Sequence, residues 1–324
     1  MILSLASTTL RGLCGNNAHE HLEYNVSEPL SYGTAICYSG YRDGQAPGAV
    51  LPSYDEVKED LLLLEGRWQY LRLYDCDDHS RTVLDVIRRE KLHFRVLLGA
   101  YINAEQNNGG CPWGGTYPDE VLAANAVSND AKMQQLIKMA NEYRDIVAAL
   151  SVGNEACVNW TDHLVSPERV ASFVRTVKAG VSQPVTFCDN YVPWTDVLAP
   201  VAEEVDFISI HSYPQWEGKT PEEAIAYTEQ NYRQVADRYP GKQVVITEAG
   251  WATGSNGRGI PPQWANVEAQ TDHLAKLSEW SRQHHVVIFV FEAFDEKWKG
   301  SSDPMEPEKH WGLFDSHRNP KSGR

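Results

Sequence analysis

From Tyr32 onward the chain repeats one alternation. A short apolar run is followed by a polar, glycine-containing loop and then, in most cases, by a stretch with helical periodicity. The runs fall at 34–38, 69–74, 94–99, 146–152, 184–188, 205–211, 243–248 and 286–291. Most are near-continuously apolar, the pattern of parallel strands buried on both faces. The helices between them carry their own signals. Ser53 with Glu56 makes a capping box, and Gly66 stands where that helix should stop. Ser166-Pro167 and Thr220-Pro221 each place a cap residue before a first-turn proline, with Glu223 completing a second box. Further helical patterns cover 79–91, 129–145 and 263–284.

Eight β–α units in roughly 290 residues predict an α/β fold of one domain, a single (β/α)8 TIM barrel over residues 32–324. Residues 1–31 are poorly patterned and read as a tail or the remnant of an export leader. Ile2 to Leu10 is apolar but lacks a basic start and an A-x-A cleavage site. A doubly wound sheet is the alternative, but no strand leads into G-x-G-x-x-G or a phosphate loop.

Composition narrows the partners. The 29 Lys+Arg against 44 Asp+Glu leave a net charge of −15, which argues against nucleic acid or an anionic membrane surface. No apolar run reaches the roughly 18 residues of a membrane span. The six cysteines form no C-x-x-C pair and read as free buried thiols. The sequons at Asn25 and Asn159 matter only in a eukaryotic secretory host.

In a barrel, chemistry belongs at the C-terminal strand ends. Two glutamates there each close an apolar strand: Glu155, ending Leu150-Ser-Val-Gly-Asn-Glu155, and Glu248, ending Val244-Val-Ile-Thr-Glu248. They belong to strands 4 and 7, across the lumen from one another. Two carboxylates facing one cleft suit glycosidic cleavage, one protonating the leaving oxygen while the other attacks or activates water. No strand-end lysine is present for a Schiff base. No set of histidines and carboxylates has metal-ligand spacing, so neither a metal nor another cofactor is expected. His211 and His163 are expected to be structural.

Ser151-Val-Gly-Asn-Glu155 resembles the acid/base motif of glycoside hydrolase family 17, and Ile246-Thr-Glu-Ala-Gly-Trp251 resembles its nucleophile motif. Phe291 to Lys299, His310-Trp-Gly-Leu-Phe314, Arg72-Leu-Tyr-Asp75 and Ser212-Tyr-Pro214 also match, in the right order. The resemblance implies a retaining β-1,3-glucanase, or a glucanosyltransferase with the same residues. It implies Glu155 as general acid/base, Glu248 as nucleophile, Asn154 near the sugar 2-OH and Tyr213 orienting Glu248. Glu296 and Lys299 would be a charged pair at the cleft. The chain departs from the plant-type pattern at Ala249 and Asp295 and has long insertions after strands 3 and 7.

A retaining site needs its carboxyls about 5–5.5 Å apart. Glu155 must be protonated, which burial and the Glu248 anion would favour, while Glu248 must stay ionised.

Aromatic residues near the strand ends are candidates to stack on sugar faces: Tyr38, Trp113, Tyr191, Trp194, Trp216, Trp251 and Trp298. For Trp251 and Trp298 a supporting role beneath the sugar fits equally well. The segment 101–126 is read as a glycine-rich loop walling one end of the cleft, with 254–263 walling another. The expected partner is a β-glucan chain, the expected state a monomer, and the expected location outside the cytoplasm. A glucan-binding protein with a dead site is the rival of a different class.

Overall fold

The computed structural model describes residues 28–322. The expected leader and Cys14 lie outside the described residues. Eight parallel strands close into a barrel in sequence order, the first pairing with both the second and the eighth. They are β1 (Ala35–Cys37), β2 (Tyr70–Leu73), β3 (Arg95–Gly99), β4 (Val147–Asn154), β5 (Val185–Asn190), β6 (Ile208–His211), β7 (Val244–Gly250) and β8 (Ile288–Phe291). Each falls on one of the apolar runs. Alternate residues point into the lumen and out toward the helices. Ala35, Cys37, Leu97, Ala149, Cys188, Val245 and Phe289 fill the interior, while Ile36, Leu71, Val96, Leu150 and Ile246 pack against the outer layer.

The outer layer comprises α1 (Tyr54–Leu64), α2 (Asp78–Glu90), α3 (Asp119–Glu142), α4 (Pro167–Gly180), the short α5 (Tyr191–Trp194) and α6 (Ala199–Glu204), α7 (Ala224–Arg238) and α8 (Val267–His284). The Ser53–Glu56 box forms with both reciprocal hydrogen bonds, and Ser166 caps α4 ahead of Pro167. Two helices differ from expectation. Helix α3 begins ten residues before 129, so the loop after β3 ends at Pro118 rather than Ala126. Its first ten residues bury no side chain, and the apolar period therefore starts only where Asn129, Met133 and Leu136 meet the barrel. Helix α7 starts at Ala224 because Thr220 and Glu223 close a separate turn, the Glu223 carboxylate accepting from the Thr220 N–H at 3.0 Å.

The β5–β6 connection holds two short helices, and β8 is followed by a single 3-10 turn (Pro307–Lys309) and an extended segment. Trp311 and Phe314 of that segment are buried. The Arg318 guanidinium makes a two-point ion pair with Asp60 of α1, both contacts at 2.7 Å, and donates to the Gly40 carbonyl. Tyr38 donates to the same carboxylate at 3.2 Å. Leu30 is buried too, so among the described residues the packing extends ahead of Tyr32. The five described cysteines are free, four of them buried.

Because Asp60 and Arg318 are both out of water, breaking the pair leaves the buried carboxylate with a single cation, Arg42 at 3.1 Å. Arg318→Met is expected to cost about 3–5 kcal/mol in denaturant unfolding, and the double variant Asp60→Leu/Arg318→Met to recover most of it. A single variant as stable as wild type would show that the pair does not hold this segment down.

Candidate active site

The top of the barrel is irregular where the polar residues stand. Strand pairing shifts register between Ser151 and Asn154, between Ile210 and His211, and between Ile246 and Ala249. Such irregularities re-aim side chains. Gly153 adopts φ +144°, and a Cβ there would sit 2.9 Å from the Phe187 ring. That explains the glycine in Ser-Val-Gly-Asn-Glu. Glu155 itself is left-handed at φ +45°, uncommon without a glycine and held here by its N–H donating to the Cys188 carbonyl at 2.9 Å.

Glu248 is buried among donors. Its Oε1 accepts from the Arg72 guanidinium and from the Tyr74 hydroxyl at 3.0 Å. Its Oε2 accepts from the Tyr213 hydroxyl at 2.5 Å. Arg72 also donates to Asn154 Oδ1, so one guanidinium fixes the carboxylate and the amide side by side. Burial alone would raise the Glu248 pKa. The charges of His211 and Arg72, with the hydrogen bonds from Tyr213 and Arg72, overcome it and hold the value at about 2. This carboxyl is ionised at neutral pH.

Glu155 stands opposite, its side chain 26% exposed rather than buried as expected. Its Oε1 meets His211 Nδ1 at 2.8 Å, and the same nitrogen lies 3.5 Å from Glu248 Oε2. One atom from each of the three residues lies within 4.8 Å of the other two. The three therefore converge although their sequence spacing gave no metal-ligand pattern. The His211–Glu155 contact is a hydrogen bond, and Arg72 supplies a cation beside Glu248.

After β8, Lys299 Nζ sits 2.5 Å from Glu292 Oε2 and 3.1 Å from Glu296 Oε2. Glu296 accepts in addition from the Tyr41 N–H at 2.8 Å and the Ser39 hydroxyl at 3.1 Å. The expected Glu296–Lys299 pair thus exists, with Glu292 as a third member. Glu308 is an unexpected neighbour. Burial pushes its pKa up to about 7; Lys299 opposes the shift, and Glu155 and Glu248 add to it.

A cleft of about 440 Å³ opens beside Glu248, lined by Tyr38, Tyr41, Tyr74, Tyr101, Phe291 and Trp298. The volume lies in the usual range for small-molecule sites. Of the aromatic candidates, Trp298 is on this wall. Tyr38 borders the cleft but is a correction, buried with its ring against His79 and Phe294 and its hydroxyl on Asp60. Trp298 is 39% exposed, and its ring meets Tyr41 edge-on. Trp113 stands at a loop tip, 66% exposed. Trp194 and Trp251 are corrections. Both are fully buried, Trp194 packing on Phe187 and Trp251 on His273, with its indole N–H donating to the Trp264 carbonyl. Neither can face a sugar. Trp216 is half-buried against Trp311, and Tyr191 pairs its hydroxyl with that of Tyr227 away from this wall. Trp311 packs beneath the site: its ring meets Tyr213 edge-on at 5.1 Å and so braces the hydroxyl on Glu248.

Sequence reasoning gave no role to Arg72, Tyr74, Glu292 or Glu308 and made His211 merely structural. For Arg72 the signal was present: an arginine inside Tyr70-Leu-Arg-Leu73 must be paired when the strand is buried.

Comparison with known proteins agrees with this architecture. The btgC protein of Aspergillus niger is 29% identical over 296 residues, covering 84% of this chain and 40% of the relative. The chain thus spans about two fifths of the length of this and other btgC relatives. An endo-laminarinase from Formosa superposes with a TM-score of 0.73 at 26% identity, covering 87% of this chain and 83% of that one. The glycoside hydrolase family 17 β-1,3-glucanosyltransferase of Rhizomucor miehei shares the fold, with a TM-score of 0.68 at 24% identity over 89% and 94% of the two chains. The model of the BtgE/BtgC glycoside hydrolase domain matches residues 35–312, and the chain belongs to that family.

Proposed function

We propose that the barrel is a retaining glycoside hydrolase of the family 17 type that cleaves β-1,3-glucan. The observation that carries this reading is the pairing of Glu155 and Glu248 across the barrel, with carboxylate oxygens within 4.8 Å. That approach is closer to the roughly 5–5.5 Å separation of a retaining pair than to the roughly 6.5–9.5 Å of an inverting one. Glu248, ionised and aimed by Arg72, Tyr74 and Tyr213, is the nucleophile. Glu155, more exposed and on the opposite strand, is the acid that protonates the leaving oxygen and the base in the second step. Asn154, locked by Arg72 next to the nucleophile, binds the 2-hydroxyl. Trp298 lines the sugar path, and Lys299 with Glu296 shapes its floor. The substrate class rests on the family, on the similarity to an endo-laminarinase and on the sequence motifs. A polymeric glucan substrate supports a site of action outside the cytoplasm.

The same intermediate can be resolved by a sugar hydroxyl. The fold shared with a glucanosyltransferase makes transfer the second reading. Incubation with linear β-1,3-glucan separates the two: shorter products alone mean hydrolysis, longer ones mean transfer. NMR of the first product should show the β-anomer, and an α-anomer would overturn the retaining assignment.

Glu155→Ala, at a part-exposed carboxyl, is expected to lower kcat/KM on laminarin by about 10²- to 10⁴-fold and to melt near wild type. Glu248→Ala is expected to abolish turnover and to melt lower, because it leaves the buried Arg72 without its carboxylate. Full activity in either would refute the roles.

Tyr213→Phe removes one hydrogen bond that holds the Glu248 pKa down. The acidic limb of the kcat/KM profile should therefore move to higher pH. An unmoved limb would show that Tyr213 does not tune the nucleophile.

A further inference from the structure

His211 closes β6 with its side chain wholly out of water. Its Nδ1 faces carboxylate oxygens on two sides, Glu155 Oε1 at 2.8 Å and Glu248 Oε2 at 3.5 Å. An unprotonated Nδ1 would turn a lone pair toward the Glu248 anion. Nε2 is buried without an oxygen partner, beside the Cys188 thiol. The titratable and charged groups facing the ring are Glu155 from β4, Cys188 and Asp189 from β5, Glu248 from β7 and Arg72 from β2. Burial disfavours the charged ring and Arg72 opposes it. Glu248, Cys188 and Glu155 outweigh both and carry its pKa up to about 10.

In double displacement the negative charge changes place. It starts on Glu248. As a Glu248 oxygen bonds to the anomeric carbon, the glycosidic bond breaks and the proton of Glu155 passes to the leaving oxygen. Glu248 is then a neutral ester and Glu155 the anion. In the second step Glu155 takes a proton from water or an acceptor hydroxyl, that oxygen bonds to the anomeric carbon, and the ester bond breaks. Arg72 touches Glu248 and Asn154 and can support only the first arrangement. His211 touches both carboxylates.

We propose that His211 is a fixed imidazolium that counter-charges the two glutamates in turn, Glu248 before the covalent intermediate and Glu155 within it. The inference rests on the roles proposed above for those glutamates. His211 is a positioning residue, acting through them without touching the sugar.

His211→Asn tests it, since the amide keeps an N–H donor near the Nδ1 position but cannot carry charge. Loss of a cation beside Glu248 should raise the acidic limb of kcat/KM on laminarin by about one pH unit, a tenfold loss of rate on that limb. A limb that coincides with wild type, whatever the overall rate, would overturn the proposal and leave only a hydrogen-bonding role. The ¹⁵N NMR signals of the wild-type His211 ring at pH 7 decide the matter even if the variant misfolds: both nitrogens should be protonated, and a neutral ring would overturn the proposal. Azide rescue keeps the two levels apart. Glu155→Ala should yield a β-glycosyl azide and Glu248→Ala an α-glycosyl azide. If neither is rescued, the reading of the glutamates fails and His211 falls with it. If both are rescued and the ring is neutral, only the His211 inference fails.

Discussion

A carboxylate at the top of a barrel stays ionised only if cations and donors replace the water it has lost. Around Glu248 that replacement comes from two strands and the segments just beyond them. Arg72 arrives from β2, Tyr74 from just beyond it, and His211 and Tyr213 from β6 and its loop. The guanidinium then reaches Asn154, and the imidazole reaches Glu155. One buried charge array thus fixes the relative positions of groups far apart in sequence. Such arrays are costly to bury and more costly to leave half-paired, which ties the site's geometry to the closure of the barrel.

The closure in turn depends on lumen residues small enough to leave space and charged groups placed only near the top. Below the site Ala35, Cys37, Leu97, Ala149 and Val245 pack together, and the hydroxyl pair among them, Thr186 and Ser209, is hydrogen-bonded to itself at 2.9 Å. Arg72 is the charged exception, two residues above Tyr70 on the inward-facing side of β2. Backbone detail completes the site. The register shifts near Asn154, His211 and Glu248 turn those side chains toward one another, and the positive φ at Gly153 and Glu155 bends the end of β4 into the cleft. Strain at such a position costs on the order of 1–3 kcal/mol, and the surrounding contacts hold it.

Strands buried on both faces announce themselves as continuous apolar runs, so all eight were legible. The fold followed from them. The glutamate pair was legible because each carboxylate ends such a run. The start of α3 was not, because its first ten residues touch no core and so carry no apolar period. The direction of aromatic side chains was not legible either. Trp194 and Trp251 sit close in sequence to the expected cleft, yet both turn into the packing. His211 looked structural because a lone histidine in an apolar strand usually is. Only the arrangement of β4, β6 and β7 in space shows it touching two carboxylates.

The central claim is that Glu248 forms a covalent bond to the sugar. The direct measurement uses an activated 2-deoxy-2-fluoro-β-laminaribioside, which forms the glycosyl-enzyme quickly and releases it slowly. Mass spectrometry of the digested protein should find one label, on the peptide carrying Ile246 to Trp251, with the sugar on Glu248. A label on another residue, or turnover without any label, would contradict it.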